Sequence, residues 1–197
     1  MYTDIEFVCS GNNGRSPIAE AVAYQVLCNL RLQRKVKLRS SGTRLKEIKS
    51  VDDATLVKLL SPSLKDAMEI GAIQPNQSLE ENPRQVLNLL MQYEERLRNT
   101  YISESGLRLP YHNREQTVVR PQAQLVLPVD EKNMARVQDI YRSSTVHPRI
   151  EMLGDFAQVD IDVSEGKWIK TYEEFVKRAE QIHAATRVAT LRAIDYL

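Results

Sequence analysis

Cysteine is nearly absent from this chain: Cys9 and Cys28 are the only two in 197 residues. That is too few for a disulfide framework or a zinc cluster, and two free thiols fit a reducing, cytoplasmic setting. A surplus of charge is missing too. Lys and Arg number 27 against 26 Asp and Glu, a formal net charge of +1, so nothing global points to nucleic acid or an anionic membrane surface, and any anion site must be local. No apolar run of 18 residues occurs, and no basic segment followed by a long apolar stretch opens the sequence, which disfavours membrane spanning and secretion. Internal repeats, low-complexity tracts and a dinucleotide fingerprint are absent as well. What remains is 42% hydrophobic and 27% charged, which suits one globular domain over residues 1–197, enlarged by an insertion.

One stretch stands out, Cys9-Ser10-Gly11-Asn12-Asn13-Gly14-Arg15-Ser16-Pro17, between an apolar run at Ile5 to Val8 and a helical pattern starting at Ile18. A strand, a short loop and a helix opened by Pro17 point successive backbone N–H groups and the positive end of the helix dipole at one spot, an anion cradle. Cys9 falls at its floor, where those dipoles and the guanidinium of Arg15 favour thiolate, the attacking form. The donor fork of Arg15 matches two oxygens of a phosphoryl group and offsets transition-state charge. Gly11 and Gly14 are expected to take positive φ, which Asn12 and Asn13 tolerate better than most residues.

The full string, continuing Ile18-Ala19-Glu20-Ala21, resembles the low-molecular-weight protein tyrosine phosphatase family, whose signature reads Cys-x-Gly-Asn-x-Cys-Arg-Ser-Pro-Met-Ala-Glu-Ala. The resemblance implies a cysteine-dependent phosphomonoesterase that forms a phosphocysteine. Catalytic roles fall to Cys9 and Arg15, phosphate contacts to Ser10, Gly11, Asn12, Asn13, Gly14, Arg15 and Ser16. No metal or cofactor is called for, and phosphate, sulfate or vanadate is expected to occupy the cradle. The substrate is a phosphomonoester, with a phosphoprotein among the possibilities.

Along the chain, Ile18 to Leu32 reads as a helix and Val36 to Ser40, ending in Ser41-Gly42-Thr43, as a strand and turn that completes a βαβ unit. Asp52–Leu60 and Leu64–Ile70 read as two short helices parted by Ser61-Pro62-Ser63, and Leu79–Ile102 as a long amphipathic helix. That helix is assigned to an insertion spanning about residues 74–107, either packed over the domain or serving as a partner-binding or substrate-covering lid. Leu107 to Arg120 looks irregular, and His112 within it is given no role. Leu125–Val129 is an apolar strand; Asp130 then opens a helix to Tyr141, first of all as its N-cap, with a place near the cradle, at the strand end, as the alternative. Ile150-Glu151-Met152-Leu153 before Gly154 is expected to be the last strand, and Tyr172 begins a long closing helix. Strands alternating with helices argue for a three-layer α/β sandwich around a parallel four-stranded sheet.

Expelling an alkoxide or phenoxide requires a proton, hence a carboxylic acid on another loop. The family's Asp-Pro-Tyr-x-Gly has its counterpart in Asp162-Val163-Ser164-Glu165-Gly166, so the resemblance makes Asp162 the general acid, with Asp160 as the alternative. Val163 and Ser164 deprive this loop of its aromatic wall. Gly14 replaces the loop's second Cys, so no vicinal disulfide shields Cys9 from oxidation. Two other activities fit: a phosphate-binding or scaffold protein with impaired catalysis, and, less well, an arsenate reductase, for which Cys28 is a poor resolving thiol.

Overall fold

The computed structural model describes residues 2–110, 122–162 and 171–195. In chain order its elements are β1 (Asp4–Cys9), α1 (Arg15–Asn29), β2 (Lys37–Gly42), α2 (Leu45–Ser50), α3 (Asp53–Glu69), α4 (Pro83–Glu104), β3 (Leu125–Pro128), α5 (Glu131–Arg142), β4 (Arg149–Ile150), α6 (Leu153–Ala157) and α7 (Tyr172–Asp195). The strands form one parallel sheet in the order β2-β1-β3-β4. Ile5 pairs with Leu38 on one side and Leu125 on the other.

Alternation along β1 sorts its side chains between two layers. Ile5, Phe7 and Cys9 face the main core, with Ile18, Val22 and Leu27 of α1, Leu153 and Phe156 of α6, and Ile182 and Ala189 of α7. Val8 turns the other way and meets Val126, Val137 and Tyr141 beneath α5. This is the three-layer α/β sandwich that the alternating pattern predicts. Burying each large aliphatic side chain in such a core contributes roughly 1.5–3 kcal/mol. With β1 and β3 adjacent at the centre, the loops leaving their carboxyl ends open into one crevice, the usual ligand position in such sheets.

Several elements differ from the sequence pattern. The two short helices expected on either side of Pro62 are one helix, α3. Pro62 removes a backbone donor at a cost of roughly 3 kcal/mol, but Leu56 and Leu60 before it and Ala67 after it are buried against Leu79, Val86, Leu87 and Leu90, and Ser61 Oγ donates to the Val57 carbonyl at 2.7 Å. Shared packing keeps both halves in line. α2, just after the Ser41-Gly42-Thr43 turn, has no counterpart among the elements read from the sequence. The last strand stops at Ile150, and Leu153, expected at its end, opens α6 instead, where Leu153 and Phe156 are drawn into the main core. α1 starts at Arg15, three residues before Ile18. His112 lies outside the described residues.

The segment assigned to an insertion, about 74–107, contains α4, with Pro83 in its first turn. α4 shares a core with α3, and its far end reaches the main core through Tyr101, whose hydroxyl lies 3.1 Å from His183 Nδ1 on α7. Among the described residues no helix is long and apolar enough to cross a membrane.

Glu20, on α1, is only 3% exposed and accepts a 2.6 Å hydrogen bond from Ser40 Oγ. Burial pushes its carboxyl up to about 7, against the opposing pull of the Ser40 hydroxyl and the Arg39 charge. The folded chain therefore holds a proton that the unfolded chain releases above 4.5, and stability falls as pH rises from there to about 7, by at most about 1.4 kcal/mol per pH unit. Urea unfolding across this window is expected to show that decline in the wild type and a flatter profile in Glu20→Gln; parallel profiles would refute the assignment.

Candidate active site

The pleat of β1 delivers Cys9, 2% exposed, to the end of the central strand, and residues 10–14 carry the chain into α1, whose N-cap is Gly14. Cys9 Sγ lies 3.0 Å from Ser16 Oγ in the first turn of α1. Ser16 Oγ is also 3.1 Å from Asn12 Oδ1 and 3.3 Å from the Ser41 carbonyl. The hydroxyl is thus held between the loop, β2 and the sulfur, where it is placed to donate to a thiolate.

The left-handed residue of the loop is Asn12, with φ 47°; Gly11 and Gly14, expected to take that role, have no positive φ. Asn tolerates this region through its short polar side chain. Gly14 serves a different need. A Cβ there would stand 2.7 Å from Glu94 Oε1 of α4, so the absent side chain leaves room for that carboxylate.

Arg15 is tied to Asp130 through Nη1 and Oδ2 and lies 3.5 Å from Ser10 Oγ through Nη2. Asp130 also caps α5, accepting from Asn133 N at 2.8 Å. Read from sequence as an N-cap, it does that and also holds the arginine. Burial opposes the Arg15 charge, but Cys9, Asp130 and Glu94 outweigh it and hold the guanidinium above its ordinary value. Asn133 Oδ1 accepts from Thr43 Oγ1 at 2.9 Å and Ser10 Oγ at 3.4 Å, which joins the loop, the exit of β2 and the start of α5.

Asp162 is exposed, and its charge acts on Arg178 of α7. Burial and the nearby Arg15 lower the pKa of Arg178, while Asp162 and Glu174 work in the opposite direction. Asp162 is thereby brought within electrostatic reach of the cation next to Arg15; Asp160 is exposed. Val163 to Gly166 lie outside the described residues. A cleft opens beside Arg15 between α1, α4 and α7, with Tyr93, Leu97 and Phe175 as apolar walls and Glu94 and Arg178 as charged groups. Sequence reasoning missed Asn133, Glu94 and Arg178 as site residues, because nothing in the order of the chain places these faces of α5, α4 and α7 beside the loop.

Residues 4–99 match the family model described as low molecular weight phosphotyrosine protein phosphatase. No curated protein matches the sequence. Among solved structures, a low molecular weight phosphotyrosine phosphatase from Vibrio cholerae is similar with 16% identity and a TM-score of 0.58, over 98% of this chain and 95% of that one. A protein tyrosine phosphatase from Entamoeba histolytica gives 16% and 0.57, over 98% and 97%. A Drosophila arginine phosphatase gives 17% and 0.55, over 100% and 97%. At such identities these likenesses establish the fold.

Gly42 ends β2 with its Cα pressed on the loop: an added Cβ would stand 2.9 Å from both Asn12 N and Ser10 O. Both are backbone atoms, so the loop itself must move. Gly42→Ala is expected to destabilise the chain by roughly 1–3 kcal/mol, the usual cost of overpacking. A Cβ on Gly11 meets nothing within 4 Å, and Gly11→Ala should change stability by less than about 0.5 kcal/mol. Chemical denaturation of the two variants checks the contrast; equal losses would show that the loop yields to Gly42.

Proposed function

We propose, from this chain's membership of the low molecular weight phosphotyrosine protein phosphatase family through residues 4–99, that it hydrolyses phosphomonoesters by way of a phosphocysteine. The protein is a phosphatase-like hydrolase of that family. The observation carrying the mechanism is the placement of Cys9 Sγ, 3.0 Å from Ser16 Oγ, at the mouth of a helix N-terminus beside an Arg15 held by Asp130.

The phosphoryl group enters the loop of Ser10, Gly11, Asn12, Asn13, Gly14, Arg15 and Ser16. Backbone N–H groups and the Arg15 fork hold its oxygens, and the charge of that fork matches the negative charge spread over them in the transition state. Cys9 thiolate attacks phosphorus in line. The S–P bond forms as the O–P bond breaks, and the electron pair of that bond leaves with the ester oxygen, which takes a proton from Asp162. Asp162, now ionised, accepts a proton from the attacking water; the P–O bond forms, the P–S bond breaks, and phosphate and thiolate are released. Cys28 lies thirteen residues after Arg15 on α1, about 20 Å along the helix. That spacing argues against a redox partner for Cys9 and for hydrolysis over arsenate reduction. Substrates of this type are phosphorylated side chains or small phosphomonoesters met in the cytoplasm.

Cys9→Ser and Arg15→Ala are each expected to abolish hydrolysis of an aryl phosphate, while a chelator leaves the wild-type rate unchanged and free phosphate or vanadate competes with substrate. Activity surviving Cys9→Ser would sink the mechanism, and phosphate binding without turnover would leave a binding protein.

Asp162→Asn should slow an ester with a poor leaving group by roughly 10²- to 10⁴-fold. The loss should shrink as the leaving group's own pKa falls, since a good leaving group needs the proton less. Measured over a series of aryl phosphates, that trend should be missing from Asp160→Asn; its appearance there instead would transfer the acid role to Asp160.

A further inference from the structure

α4 grips a single residue of the loop from three directions. Asn13 Nδ2 donates to the Met91 carbonyl at 2.7 Å and to Glu94 Oε2 at 2.9 Å, and the Asn13 carbonyl accepts from Arg98 Nη1 at 2.8 Å. Arg98 is 3% exposed. Its remaining nitrogens are held on its own helix, by Glu95 Oε1 at 3.0 Å and by Asn99 Oδ1 at 3.1 and 3.0 Å, so the donor aimed at the loop has little freedom.

The peptide that receives this bond is the one joining Asn13 to Gly14. A glycine on its far side lets that unit rotate between two orientations at little steric cost, and the carboxylate of Glu94 lies where a Cβ of that residue would stand. Peptide units are planar, and this one is trans, with no cis bond among the described residues. A carbonyl pinned towards α4 therefore turns the Gly14 N–H the opposite way, into the loop. The same charge-assisted bond polarises the unit and makes its N–H a stronger donor.

We propose that Arg98 is a positioning residue that selects the orientation in which the Gly14 N–H serves the anion cradle. The proposal rests on reading the loop as a phosphate site. Arg98 touches neither the phosphoryl group nor Cys9; it acts through the Asn13 carbonyl.

The test uses the full chain and inorganic phosphate, followed by calorimetry and by the amide resonance of Gly14. In the wild type that resonance should shift as phosphate binds, a readout independent of whether any variant folds. Arg98→Met should bind phosphate and vanadate roughly 10- to 100-fold more weakly, the worth of a hydrogen bond to a charged group, with its Gly14 resonance no longer responding. Arg98→Lys, which keeps a donor for the carbonyl, should recover most of the affinity and the response. A wild type that binds no phosphate would overturn the phosphatase reading and this proposal with it. A wild type that binds phosphate with Gly14 unmoved, or an Arg98→Met variant with unchanged affinity, would overturn the Arg98 assignment alone.

Discussion

A guanidinium taken out of water needs a carboxylate, and the one that Arg15 finds is Asp130. Arg15 opens α1 and Asp130 opens α5, elements packed on opposite faces of the sheet. Satisfying the charge therefore joins both outer layers at the carboxyl ends of β1 and β3. The loop between Cys9 and Arg15 has no comparable freedom left: its ends are set by the sheet and the pair, its middle by the left-handed Asn12 and the backbone of Gly42. A site built this way is formed before ligand arrives, so little binding energy is lost to ordering it.

Legibility followed the range of the signal. The apolar run of β1, the breaks around residues 10–17 and the N-cap at Asp130 are local, and each was readable in order. Pro62 misled because its cost is local while its compensation, the packing of α3 on α4, comes from residues far along the chain. The short β4 failed for a similar reason: Ile150 to Leu153 is apolar enough for a strand, yet the position of α7 draws Leu153 into helical packing. Gly14 looked like a conformational residue and proved to be a steric one.

The same distinction separates the parts of the site. Cys9, Arg15 and Ser16 share one contiguous motif and were found together. Asp130 was readable as an N-cap and as a strand-end residue near the cradle, but not as the partner of Arg15. Glu94, Arg98 and Arg178 come from helices whose charged faces are indistinguishable in sequence from solvated ones, and only their packing beside the loop gives them meaning.

α3 and α4 possess an apolar core separate from the one that holds the sheet together, and α4 is also the helix bonded to Asn13. Such a pair is a natural cooperative unit, able to open below the free energy of global unfolding. Heat or mild denaturant acting on it would loosen Asn13 while Cys9 remained buried under an intact sheet. Inactivation then precedes melting of the sheet, and a preparation stored near its limit loses function, and part of its helical signal, while the main core is still native.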